Sequence, residues 1–226
     1  MGDKWILHNL NNTIKDVNHW FDKYEFSNAT ESFRAFWLDN FCDIYLEHSK
    51  LVLVEGQSAE VTNKTKAILF KVIETGMRLL HPMMPFISEE LYQKLPKFDN
   101  KFETICLATY PESNEAHNFP ESSSLNDILK VLTCIRQMMA SVTLPPKTAP
   151  KIFMFVSADD AQKIKKEEYK EFFPFLAMLS KCGEISWVET EGQIPEGCLV
   201  SVINNIKVNM DIKEFIKVED EVNFFS

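Results

Sequence analysis

Apolar residues recur every three or four positions in five separate segments of the first 142 residues. This spacing places them on one side of an α-helix, whereas strict alternation would indicate strands. In the first segment, from Asp3 to Asp22, the recurring positions are Trp5, Ile6, Leu10, Ile14 and Val17. The spacing therefore predicts helices over most of this part of the chain.

Caps and prolines set the expected ends of the other helices. Asn28 is a plausible N-cap with Glu31 in the capping-box position, and the second helix then runs to about Leu53. Pro85 suits the first turn of a helix, which ends before Pro96. The third and fifth helices are predicted at 59–80 and 124–142.

The spacing changes after Pro150. The stretches KIFMFVS and EISWVE predict strands, and SVINNIKVNMDI predicts a hairpin that turns at Asn204-Asn205. A helix is expected between Asp159 and Ser180, broken or restarted at Pro174.

The fold class is therefore mainly α, with a small α/β part at the C-terminal end. The stretch LPPKTAP, which ends at Pro150, is the best internal boundary. We accordingly expect a helical domain over 3–150 and a small α/β subdomain over 151–226.

Composition and motifs exclude several classes of protein. No run of about 18 apolar residues could span a membrane, and MGDKWILHNL lacks the zones of a signal peptide. The five cysteines are odd in number and contain no Cys-x-x-Cys, which argues against a disulfide framework or a zinc ribbon. We expect free thiols, a cytoplasmic location and a monomer.

No catalytic constellation is visible. The six glycines form no phosphate-cradling loop, and neither His-Glu-x-x-His nor Gly-x-Ser-x-Gly occurs. The five histidines are scattered, so His81 before Pro82 is interpreted as a helix-end residue without the partner that acid–base chemistry needs. The expectation is no catalytic residue, no metal and no cofactor in this chain.

The second helix has an unusual outer face. At 100° per residue, the aromatic residues of FRAFW (33–37) fall on the apolar side, which favours a core position over a base-stacking platform. Asp39, Asp43 and Lys50 fall on the opposite side, together with Cys42 and Leu46. A leucine there is either a partner contact or one of the single exposed leucines that proteins commonly carry.

The third helix carries a basic stripe. Lys64, Lys71 and Arg78 stand at i, i+7 and i+14, away from the predicted apolar face. Such a stripe is either solvated surface or a row of point charges for an RNA backbone. The net charge of −9 argues against general affinity for nucleic acid, although charge can be local.

Several stretches resemble, in order and spacing, the C-terminal part of valyl-tRNA synthetases. They are DKWIL (3–7), FWLDNFCDIYLE (36–47), RLLHPMMPFISEELYQKLP (78–96), ICLATYPE (105–112) and IRQMMASVTLPPK (135–147). The HPMMPFISEEL element also resembles isoleucyl and leucyl enzymes, whereas FCDxYLE is more specific to the valyl branch. The resemblance is strong over 3–150 and rests on pattern and position beyond it.

The resemblance implies the anticodon-binding bundle of a class I synthetase. It implies that the parent enzyme uses ATP with Mg²⁺, in a catalytic domain whose His-x-Gly-His and Lys-Met-Ser-Lys-Ser signatures are absent here. The implied partners are the anticodon arm of valine tRNA, whose second and third anticodon letters are adenine and cytosine, and the catalytic and editing domains of the parent chain. The tRNA-binding residues expected on this basis are Asp39, Cys42, Asp43, Leu46, Lys50, Lys64, Lys71 and Arg78.

Two alternatives remain open. One is a non-catalytic helical scaffold that docks protein partners, which the net charge of −9 favours over affinity for naked RNA. The other is the equivalent domain of an isoleucyl or leucyl enzyme, which FCDxYLE disfavours. Salt separates RNA binding from apolar docking, because only the former weakens steeply as salt rises.

Overall fold

The computed structural model describes residues 2–53, 58–96, 101–142, 145, 148–157, 164–213 and 215. The chain divides into two compact units, at 1–123 and 124–226. The predicted boundary at 150 lies later than this division, and LPPKTAP lies partly outside the described residues. The part of the predicted helix from Asp159 to 163 also lies outside them.

The first unit consists of helices. They are α1 (Gly2–Asp22), α2 (Phe26–Ala35), a π-helical stretch (Phe36–Tyr45), α3 (Leu46–Val52), α4 (Ala59–Leu80) and α5 (Pro85–Lys94), followed by short 3₁₀ turns at Ile105–Leu107, Glu115–His117 and Pro120–Ser123. The predicted helices are confirmed. The second runs without a break through α2, the π-helical stretch and α3, and we call these together the long helix.

The predicted cap of the long helix is wrong. The helix begins at Phe26, with Glu25 at the N-cap position, and Asn28 lies inside it. The chain leaves α1 through Tyr24, which has a positive φ of 59°, and the Glu25 amide then donates to the Trp20 carbonyl. This tight turn places the next helix three residues earlier than the capping signal indicated.

The π-helical stretch shifts the buried side of the long helix. Its buried positions are Ala29, Phe33, Phe36, Phe41, Tyr45 and Ser49. The step from Phe36 to Phe41 is five residues, because a π-helix bonds i to i+5 and therefore takes more residues per turn than an α-helix. The aromatic residues placed on the apolar side are buried or partly buried there, and Ser49 is fully buried as well.

Trp37 joins the long helix to α4. Its ring stacks between Phe33 and Phe41, with centroid distances of 5.6 and 5.0 Å. It also packs against a cluster formed by Met77, Tyr92 and Ile105. Gly76 lies directly beneath the ring, and a Cβ atom at this position would overlap Cζ3 of Trp37. The glycine therefore permits the close approach of the two helices.

The second unit packs helices on a four-stranded sheet. It contains α6 (Ser124–Ser141), β1 (Ile152–Val156), α7 (Lys166–Ser180), β2 (Ile185–Trp187), β3 (Leu199–Ile203) and β4 (Ile206–Met210). The strand order is β2-β1-β4-β3, with β1 and β2 parallel and the other pairs antiparallel.

The predicted strands and hairpin are confirmed. Asn204 and Asn205 both have positive φ at the turn, as a two-residue hairpin requires. Ile152, Met154 and Val156 alternate inward on β1. The predicted break at Pro174 is wrong, because α7 continues through it.

We predict that the effects of Trp37→Ala and Gly76→Ala on stability are coupled. Trp37→Ala should cost about 3 kcal/mol of unfolding free energy through lost packing. Gly76→Ala should cost about 1–3 kcal/mol in the wild-type chain, because its methyl group meets the indole.

In the Trp37→Ala background, the same Gly76→Ala change should be neutral or stabilising by up to about 1 kcal/mol, since alanine favours helix. Urea denaturation of the four proteins measures this coupling. Strictly additive effects would contradict the contact between Trp37 and Gly76.

Candidate nucleic-acid interface

The outer row of the long helix consists of Leu38, Asp39, Cys42, Asp43, Leu46 and Lys50. Leu46 is 36% exposed and Leu38 is 46% exposed, so two leucines rather than one face away from the core. Leu38 lies within the π-helical stretch, and Leu46 directly follows it. Leu38 was not among the predicted contact residues, because Trp37 and Phe41 keep the ordinary four-residue spacing and conceal the π-helical stretch.

The polar members of the outer row are accessible, with the exception of Cys42. Asp39 and Asp43 are exposed, while Cys42 is partly buried. Burial, reinforced by the neighbouring Asp43 carboxylate, raises the pKa of the Cys42 thiol, which keeps it protonated. Lys50 is exposed but donates to Glu47 at 2.5 Å. The outer row therefore combines exposed apolar side chains with carboxylate hydrogen-bond acceptors.

This combination suits base edges better than phosphates. A carboxylate accepts hydrogen bonds from the exocyclic amino groups of cytosine or adenine, and apolar side chains can pack against unstacked bases. The same carboxylates repel a phosphate backbone. An RNA partner would therefore meet the outer row with its bases.

The predicted basic stripe divides into two parts. Lys64 and Lys71 are exposed on α4 and available to a partner. Arg78 is instead held within the fold: Nε and Nη2 contact the Glu74 carboxylate at 2.7 and 2.8 Å, and Nη1 donates to the Thr109 carbonyl at 2.7 Å. Because the guanidinium already binds these groups, the predicted contact between Arg78 and an RNA phosphate loses support.

Arg78 is held in this way because another segment of the chain crosses α4. Thr109 and Tyr110 pass over the C-terminal part of this helix, and the Tyr110 hydroxyl donates to the Leu79 carbonyl at 3.1 Å. Arg78 lies under this crossing, beside a Glu74 side chain that is only 10% exposed. Spacing along one helix cannot reveal a segment that covers it.

A cleft of about 290 Å³ adjoins the stripe, between α1, α4 and the segment after Thr109. Its lining combines Lys71 and Arg78 with polar groups that include Asn11, Thr75 and Asn114. Asn11 is buried and accepts a hydrogen bond from the Asn114 amide at 2.7 Å. In the sequence, the signal for this polar cleft was an asparagine within the apolar stripe of α1. No outer-row residue lines this cleft.

Metal and membrane functions find no support in the part of the chain that the structure describes. No group of three or more His, Cys, Asp or Glu there could hold a metal ion. No helix within the same ranges is long and apolar enough to cross a membrane. The five cysteines all lie in described segments as free thiols.

Comparison with known proteins gives consistent matches. A family model described as the anticodon-binding domain of tRNA ligase matches residues 3–154. Valine–tRNA ligase of Staphylococcus carnosus is 32% identical over 223 residues, which cover 98% of this chain and 24% of that protein. The Bacillus cereus ligase is 32% identical over 226 residues, with the same coverage.

A mitochondrial valine–tRNA ligase of Saccharomyces cerevisiae is 30% identical over 222 residues, which cover 97% of this chain and 20% of that protein. The chain thus spans about a quarter or less of the length of these relatives. The alignments extend past residue 154 and so include most of the second unit.

We predict that Arg78→Gln destabilises the first unit by about 3 kcal/mol, because it leaves the Glu74 carboxylate desolvated without its partner. The double variant Glu74→Gln/Arg78→Gln should recover most of this loss. Lys71→Gln, on the exposed part of the same stripe, should stay within about 0.5 kcal/mol of wild type. Thermal and urea melts report all three, and equal effects of Lys71→Gln and Arg78→Gln would show that Arg78 is not structural.

Proposed function

The chain belongs to the family of anticodon-binding domains of tRNA ligases, and from this premise we propose that it binds the anticodon arm of a valine tRNA within a longer valine–tRNA ligase. The observation that carries the proposal is the outer row, in which two exposed leucines stand on either side of two carboxylates along the π-helical stretch. The names of the aligned relatives support valine over other amino acids.

In this proposal the outer row recognises anticodon bases. Leu38 and Leu46 provide the surface against which an unstacked base packs. Asp39 and Asp43 accept hydrogen bonds from the amino groups of adenine and cytosine, the two anticodon letters that valine tRNAs share. Cys42 is a weak donor at the edge of this surface. Lys50, paired with Glu47, lies one helical turn beyond Leu46 and can offer its remaining N–H donors to the RNA.

Lys64 and Lys71 hold the tRNA backbone. Both are exposed, and an ammonium group on a flexible stem suits a phosphate as a point charge. The two lysines give a local positive region on a chain whose net charge is −9. They supply affinity without sequence information, which base contacts must add.

The chemistry of aminoacylation belongs, in this proposal, to the catalytic domain of the longer ligase. ATP and Mg²⁺ would bind there. This chain holds the anticodon arm so that the acceptor end reaches that domain. We further propose a cytoplasmic monomer.

A second function, the docking of protein, is favoured by an exposed apolar surface on the first unit. Phe86 is 91% exposed at the start of α5, and Tyr24 is 80% exposed before α2. The Thr30 hydroxyl, which donates to the Phe26 carbonyl at 2.8 Å, also contacts the Met83 sulfur at 3.2 Å and so brings α2 next to the segment before α5. Such a surface suits another domain of the ligase or a separate protein.

We predict that Leu46→Glu weakens binding of valine tRNA by about tenfold, because it removes a packing surface for a base and adds a charge near the RNA. The melting temperature should stay nearly unchanged, since Leu46 lies outside the core. Filter binding measures the affinity.

Leu107→Glu is the matched control, because Leu107 is an exposed leucine of the same unit outside the outer row. It should bind valine tRNA as wild type does. A tRNA with a changed anticodon should lose little further affinity for the Leu46→Glu variant. Equal binding by both variants would remove the outer row from anticodon recognition.

We predict that the double variant Lys64→Gln/Lys71→Gln binds valine tRNA and unrelated tRNA more weakly, by the same factor. The slope of log affinity against log salt should fall by up to about two, roughly one per phosphate contact. Lys66→Gln, exposed on the same helix but outside the stripe, should leave the slope unchanged. An unchanged slope in the double variant would assign both lysines to plain solvent exposure.

A further inference from the structure

His81 has two side-chain partners that lie 7 and 25 positions away in the sequence. Its Nε2 lies 3.1 Å from Sγ of Cys106, and its Nδ1 lies 2.7 Å from Oγ of Ser88. Cys106 is exposed, whereas Ser88 is fully buried. A thiol, an imidazole and a fixed hydroxyl are thus aligned at the surface of the first unit, outside both the outer row and the basic stripe.

The buried hydroxyl sets the tautomer of His81. Ser88 Oγ lies 2.7 Å from the Met84 carbonyl and 3.1 Å from the Pro85 carbonyl, and both carbonyls can only accept. The single hydroxyl proton therefore serves a carbonyl, and the hydroxyl oxygen accepts the proton of Nδ1. Nε2 is left with its lone pair directed toward the thiol of Cys106.

A second set of bonds holds the cysteine in place. The Glu89 carboxylate on α5 accepts from the Thr104 hydroxyl at 2.6 Å and from the Ile105 amide at 2.9 Å. The Cys106 amide in turn donates to the Thr104 hydroxyl at 3.4 Å. Hydrogen bonds from Gln93 and Thr104 lower the pKa of Glu89, which keeps this tether ionised. The turn that carries Cys106 is therefore fixed to the helix next to His81.

We propose that Cys106 is a covalent modification site, at which His81 acts as the base for thiol–disulfide exchange with a small disulfide. Nε2 takes the thiol proton while the sulfur forms a bond to one sulfur of the incoming disulfide. The old S–S bond breaks, and its electron pair leaves with the departing sulfur, which regains a proton from the imidazolium or from water. The products are a mixed disulfide on Cys106 and one free small thiol.

The other cysteines provide internal references. Burial raises the pKa of the Cys42 and Cys198 thiols, and acidic neighbours add to this. Cys134 and Cys182 are buried. None of these four shows a hydrogen bond to a histidine among the contacts of the described residues. They differ from Cys106 both in accessibility and in lacking a histidine partner, so the substitution of His81 is needed to isolate the effect of the base.

The test is exchange with glutathione disulfide at neutral pH, followed by peptide mass spectrometry of all five cysteines. Cys106 should be modified first in the 226-residue chain. His81→Gln should slow its modification by about tenfold or more, as the loss of a general base does. His19→Gln, which removes an exposed histidine elsewhere in the same unit, should not slow it.

A second measurement needs no substitution at the site. The rate at Cys106 in the folded chain is compared with the rate at the same residue in urea. A faster reaction in the folded chain supports the assistance by His81, because unfolding exposes the thiol but removes the base. The proposal is overturned if the folded rate is equal or lower, or if His81→Gln folds and reacts as fast as His19→Gln. If His81→Gln fails to fold, the comparison in urea decides alone.

Discussion

The π-helical stretch of the long helix is the constraint on which both sides of the first unit depend. It lengthens one step of the buried series to five residues, from Phe36 to Phe41, and so brings Tyr45 and Ser49 into the core. Tyr45 then donates to the Asp3 carboxylate at 2.8 Å, which ties the long helix to α1. The same shift leaves Leu38 and Leu46 outside, where a partner can reach them. Such π-helical insertions are frequent at functional sites.

The charged residues of the first unit fall into a structural group and an exposed group. Arg78 neutralises Glu74 beneath the crossing segment and supports the fold, whereas Lys64 and Lys71 remain exposed. The outer row adds carboxylates to this surface. An RNA that binds here would place its backbone near the lysines and its base edges near the acids, because like charges repel. A strongly acidic chain can in this way serve as a domain of the anticodon-binding family.

The family domain and the compact units do not end at the same residue. The family model ends at 154, close to the predicted boundary of 150, whereas the first compact unit ends at 123. The difference is α6, which packs on α7 and on the strands β3 and β4. The extent of a family domain and the extent of a compact unit are separate properties, and here they differ in whether α6 is included.

The sequence by itself determined the helices, the strands and the hairpin at Asn204-Asn205, because periodicity and turn chemistry are local properties. It also identified Leu46 as an outward residue and supplied the motifs of the family resemblance. Only the tertiary structure decided that the long helix contains a π-helical stretch, that Arg78 is covered, and that His81 meets Cys106. The last two depend on partners distant in the chain: Arg78 on Thr109, 31 positions away, and His81 on Cys106, 25 positions away. Helical spacing carries no information about which distant segment will cross a given face, and the packing of whole elements settles it.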